Sequence, residues 1–213
     1  MRAIVKGPEP HSLTQYKLTP GASYAGYPDK DELRASLVTE QRGLCCYCLR
    51  SIRPQYDAMK IEHWHSQAPT RYPAEQLTYS NLLGACLGNE GQAWCHQHCD
   101  TRKRDRDFSR NPANPMPRIE DLIRFRADGR IVSDNLAFDA ELNDVLNLNE
   151  AFLKNSRKAV LDAFTHGFAK RGHLPRATLL RWAQDWNGEL GVGDLREFCQ
   201  VVVYWLRKRL SRA

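Results

Sequence analysis

Four short runs between Cys45 and Lys103 constrain this chain more than anything else in it. They are Cys45-Cys46-Tyr47-Cys48, Ile61-Glu62-His63-Trp64-His65, Asn81-Leu82-Leu83-Gly84-Ala85-Cys86 and Cys99-Asp100-Thr101-Arg102-Lys103. Thiols bracket an acid–histidine pair and an isolated asparagine. Thiolates select soft or borderline ions such as zinc, and carboxylates select hard ones. The order therefore predicts two metal sites in one small unit, a sulfur site that holds the fold and an oxygen/nitrogen site that carries chemistry.

Cys45-x2-Cys48 supplies half of a tetrahedral site, because two thiolates on a tight turn can grip one ion. The other two ligands come from Cys86, Cys95 and Cys99, with His96 and His98 behind them. Cys86 and Cys99 are favoured, since each borders a predicted ordered element, and Cys95 stays the alternative. Cys46 and Cys199 read as free buried thiols. Seven cysteines are an odd number, they cluster, and the opening Met1–Pro8 has no apolar signal core. Metal is thus expected rather than disulfides, in a cytoplasmic protein. A zinc ion would supply folding free energy on the order of ten kcal/mol to a unit with little core of its own.

The 213 residues suit one domain plus an appendage, or two small domains. A composition 42% hydrophobic and 26% charged, without low-complexity tracts, is that of a globular chain. The longest strongly apolar run, Val201 to Leu206, is far too short to span a bilayer, so no membrane partner is expected. The net charge of +6 suits a polyanionic partner, though many basic proteins bind none.

Residues 1–30, rich in Pro, Gly and Tyr and without a period, are expected to wrap over the rest as an ordered N-terminal arm. A helix from Asp31 carries Leu33, Leu37 and Val38 on one face and ends near Gly43. Met59–His63 and Leu82–Ala85 are short strands, and Asp100–Phe108 is a short basic helix. The run Asn111–Pro117 breaks the chain and marks the boundary between a core at 31–110 and a region at 111–213. That region opens with a hairpin, with Asp128-Gly129 at its turn. Three helices follow: one carries Leu153, Val160, Phe164 and Phe168, one begins at Pro175, and one begins at a capping box from Asp194 to Glu197. The expected class is α+β with a mainly helical C-terminal part.

Glu62-His63 places a carboxylate, suited to Mg²⁺, beside an imidazole that can take a proton from water. Neighbours on a strand point to opposite faces, so the pair shares a site only where the strand ends and the chain turns. Asp100, held next to a zinc thiolate, has the rigid backbone that a ligand needs. His65 is open to three roles (base, third ligand or phosphate contact), and His63 is the favoured base.

These runs resemble the HNH (ββα-metal) endonuclease motif in its zinc-bearing form, over about residues 40–108. Lys6–Pro10 and Leu146-Asn147-Leu148-Asn149 are similar to a bacterial HNH subgroup that includes the PtuB nucleases of Septu anti-phage systems, some of them retron-linked. The resemblance implies that His63 is the general base, that Glu62 is the first metal ligand (where Asp is commoner), and that Asn81 is the asparagine that ties the loop and orients the histidine. Asp100 falls where the family usually has His or Asn, and that departure leaves the second ligand open. The implied cofactors are structural Zn²⁺ on Cys45, Cys48, Cys86 and Cys99, and catalytic Mg²⁺ or Mn²⁺ on Glu62 and Asp100. DNA is the implied substrate, its phosphates held by His65, Arg102, Lys103 and Arg104. The implied partners are a PtuA-type ABC-like ATPase and retron components. The alternatives are a zinc-stabilised binding module with a decayed active site, and an RNase of the same fold.

Overall fold

Leu33 and Leu37, one helical turn apart, seat helix α2 (Lys30–Glu40) against the inside of the molecule, and the helix ends before Gly43, whose φ of +74° reverses the chain. The computed structural model describes residues 1–68 and 70–212. Before α2 the arm contains one short helix, α1 (His11–Tyr16). The arm is anchored rather than loose: Met1 and Ile4 are buried in the main core, and Leu13 and Tyr27 pack with Leu33 and Leu37.

Strands β1 (Lys60–His63) and β2 (Leu82–Ala85) pair antiparallel, with Glu62 opposite Leu83 and His63 opposite Leu82. Helix α3 (Cys99–Lys103) completes a ββα unit. It is shorter than the sequence predicts, because Arg104 takes a φ of +52° and leaves the helical region. Gln41, buried at the end of α2, fastens this unit. Its amide donates to the carbonyls of Leu44 and Gly84, both at 2.8 Å, and accepts from Gly84 N at 2.6 Å.

The hairpin β3 (Arg124–Phe125) and β4 (Ile131–Val132) turns at Gly129, whose φ is +83°. A helix absent from the sequence reading follows, α4 (Leu136–Ala140), capped by Asn135 and continued by a wide turn to Val145. Then come α5 (Ala151–Ala169), capped by the Glu150 carboxylate, α6 (Arg176–Trp186) and α7 (Cys199–Leu210). The expected capping box at Asp194–Glu197 is not formed. Glu197 instead accepts from Ser51 N at 2.7 Å, and Phe198, with a φ of +54°, separates that loop from α7.

One core cluster runs from Met1 and Ile4 through the thiols to Ile131, Phe138, Leu153 and Val201, so buried side chains from both sides of the Asn111–Pro117 break pack together. A second cluster binds α5, α6 and α7 through Phe168, Leu179, Val202 and Leu206. Among the described residues no helix is long and apolar enough to cross a membrane. The architecture is α+β, with small antiparallel sheets and a helical C-terminal part.

Candidate active site and metal centre

The turn after α2 is closed by a bridge between Leu44 and Ser51 and by the bond from Cys45 N to Arg50 O at 2.8 Å. It presents Cys45 and Cys48. Cys86 leaves the end of β2 and Cys99 opens α3. The four Sγ atoms lie within 4.8 Å of one another, and all four residues are buried. Cys45 is 3.9 Å from Cys99, and Cys48 is 3.6 Å from Cys86.

These separations are far beyond the ~2.05 Å of a disulfide. A tetrahedron with Zn–S bonds of ~2.3 Å has edges of about 3.8 Å, so the donor set and its spacing fit a tetrahedral thiophilic ion. Burial raises the Cys45 thiol, yet hydrogen bonds from the surrounding thiols outweigh it and bring Cys45 well below its usual range. Burial pushes Cys99 up. A cluster that already favours one thiolate is the environment a cation completes. Cys95 is exposed and outside the group. His98 is fully buried with Nδ1 3.2 Å from Cys99 Sγ, where an N–H would support a thiolate from outside the ligand shell.

Glu62 sits at the centre of the second cluster and is 2% exposed. Its Oε1 accepts from Tyr47 OH at 2.6 Å and lies 2.9 Å from Lys103 Nζ. Asp100 stands beside it, partly buried, with Lys60 Nζ 4.0 Å away. Burial, and next the neighbouring Glu62 carboxylate, push Asp100 well above the usual carboxylate range. A shared divalent cation held by Glu62 and Asp100 would relieve this repulsion.

His63 ends β1 and is 5% exposed. Its Nε2 is 3.0 Å from the carbonyl oxygen of Gln76, and its ring meets Tyr24 edge to face at 4.4 Å. A carbonyl can only accept, so Nε2 carries the proton and Nδ1 keeps the basic lone pair. Burial pushes His63 below its ordinary value and favours the neutral ring, with Asp100 acting in the opposite sense. Among the described residues the thiols alone form a group of three or more possible ligands within 4.8 Å, so His63 does not join Glu62 and Asp100 as a third close donor.

Asn81 lies just before β2 and straps the intervening loop. Its side chain accepts from His65 N at 2.7 Å and donates to His65 O at 3.0 Å and Glu75 O at 3.1 Å. Gln76 follows Glu75 directly, so this strap fixes the carbonyl against which His63 rests. His65 lies beyond the strand end, stacked between Trp64 (3.9 Å) and Tyr72 (4.3 Å), with Nδ1 2.7 Å from Glu75 Oε2.

The expectation that Lys103 contacts a phosphate is overturned here. Lys103 is fully buried, and its ammonium pairs with Glu62 and donates to His63 O at 3.0 Å. The physical reason is register: the last turn of α3 aims residue 103 back at β1. Arg102 lies over the Trp94 ring at 3.9 Å, and Arg104, exposed, at 4.8 Å. Sequence reasoning missed Tyr47, Tyr24 and Lys60. Tyr47 carries one signal, its place between Cys45 and Cys48 of the thiol cluster. Tyr24 carries none, since it arrives from the arm.

No family model matches the chain. Among curated proteins it is similar to one from Escherichia coli named "Retron Ec83 putative HNH endonuclease", 24% identical over 229 aligned positions that cover 86% of this chain and 88% of the relative. The similarity to this relative, whose name is that of the family the motifs resemble, covers most of both chains.

Proposed function

We propose that this chain is a metal-dependent HNH endonuclease that hydrolyses DNA phosphodiester bonds, and that it serves as the nuclease effector of a bacterial anti-phage system with an ATPase partner. The observation that carries this reading is the crowding of two carboxylates, Glu62 on β1 and Asp100 on α3, with His63 next along β1, on a ββα unit that carries four clustered buried thiols. The similarity to a retron-associated relative supports the defence setting.

A divalent cation on the two carboxylates supplies Lewis-acid polarisation of the phosphate when bound. With Glu62 and Asp100 as oxygen donors, Mg²⁺ or Mn²⁺ suits this site, and zinc suits the thiols. His63, its Nε2–H held by Gln76, takes the proton of the attacking water at Nδ1. The water oxygen forms the new bond to phosphorus as the bond to the 3′-oxygen breaks. Lys103 and Tyr47 hold Glu62 in place, and Asn81 holds the loop that steadies His63. Arg102 and Arg104 are the phosphate contacts on the adjoining surface.

The test is nicking of supercoiled plasmid with Mn²⁺, against an EDTA control, with and without an added ABC-like ATPase of the proposed kind. His63→Ala abolishes nicking and leaves zinc content unchanged. Retained cutting in His63→Ala together with loss in His65→Ala would overturn the assignment of the base.

A further inference from the structure

The helical C-terminal part carries a cleft that the nuclease site does not use. It encloses about 640 Å³ between the ends of α5, α6 and α7 and shares no lining residue with the ββα unit. Trp205, half-buried, forms its apolar side with Phe168, which is itself buried in the core of this part, and Arg176, Lys208, Arg209 and Arg212 supply charge. Among the described residues no carboxylate lines it, and none of these four cations is in an ion pair. The guanidinium of Arg209 lies 4.8 Å from the Phe168 ring centre and 5.5 Å from that of Trp205.

Cations in the last turn of a helix complement its dipole, and Arg176 does donate to the α7 carbonyl of Leu210 at 2.6 Å. That effect accounts for charge near the end of α7 from any direction. It does not account for the gathering of Lys208, Arg209 and Arg212 in one cleft with a cation from α6 and two aromatic rings. Cations gathered along a groove beside a partly exposed aromatic ring are the chemistry that holds a sugar–phosphate backbone while a base stacks.

We infer that this cleft binds a single-stranded segment of nucleic acid, at a site separate from the one that cuts. The inference does not depend on the nuclease reading, because binding is measured without added divalent cation and no cleavage is scored.

The experiment is fluorescence anisotropy of a labelled 20-nucleotide oligothymidylate with the full chain, over a range of salt. The variant Lys208→Glu/Arg212→Glu changes only exposed side chains, so the fold is kept. It is expected to weaken binding on the order of tenfold or more at low salt and to flatten the salt dependence. The control Arg53→Glu/Arg126→Glu makes the same charge change on exposed residues outside the cleft. Equal affinity of the two variants would overturn the inference. Competition by polyglutamate as effective as by unlabelled oligonucleotide would also overturn it and point to an acidic protein instead.

Discussion

Lys103 Nζ lies 2.9 Å from Glu62 Oε1, and both side chains are sealed from solvent, at 0% and 2% exposure. Removing one member of such a pair strands a buried charge, which costs about 3–5 kcal/mol. Lys103→Met is expected to lower unfolding free energy by that amount in zinc-containing urea titrations. Adding Glu62→Gln is expected to recover much of the loss. A Lys103 that merely touched phosphate would leave stability unchanged.

Asn81 acts on His63 at one remove, through the loop that holds Gln76. Asn81→Ala loses all three strap bonds, and Asn81→Asp keeps the acceptor for His65 N but loses both donations. Both variants are expected to retain zinc and fold while nicking slows about 10–100-fold, the scale for groups that orient a site from outside. An unaltered rate in Asn81→Asp would show that the donations to His65 and Glu75 do not position the histidine.

The thiol cluster predicts a sharp contrast between cysteines. Cys48→Ser or Cys86→Ser is expected to drop bound zinc well below one ion per chain, read by elemental analysis, and to lower the melting temperature steeply. Cys95→Ser is expected to change neither, because its thiol is exposed and outside the cluster.

Gly129 sits at a φ of +83°, and a Cβ there would collide with the carbonyl of Lys154 on α5. Gly129→Ala is therefore expected to cost at least about 1–2 kcal/mol from backbone conformation alone. Thermal denaturation checks it, and a shift no larger than that of an exposed alanine substitution would contradict the close approach.

What could be read in advance follows a physical divide. The strand pair, the four thiols and the Asp128-Gly129 turn are local facts, fixed by residue type and short spacing, and they appear where the spacing places them. Lys103 departs from its expected role because a helix only five residues long gives no periodicity from which to tell its inner face. The start of α7 differs from expectation because Asp194 and Glu197 have a capping pattern, yet the oxygen of Glu197 goes to Ser51, 146 positions away in sequence. Tyr24 meets His63 only through the path of the arm, which no local pattern encodes. The carbonyl of Gln76 was beyond reach for the same reason, since any residue type could provide it.

The loop ahead of α7 is stitched to the turn that bears Cys45 and Cys48. Ser51 N meets Glu197, Phe198 N meets Leu49 O at 3.0 Å, Leu195 N meets Arg42 O at 3.0 Å, and Arg42 itself reaches the carbonyl of Gly193 at 2.8 Å. Trimming the molecule to its motif would tear out those stitches along with Val201 from the shared interior. A minimal fragment ending near residue 110 would thus be a crippled reagent, and melting of the helical half and release of the ion should be seen as one event.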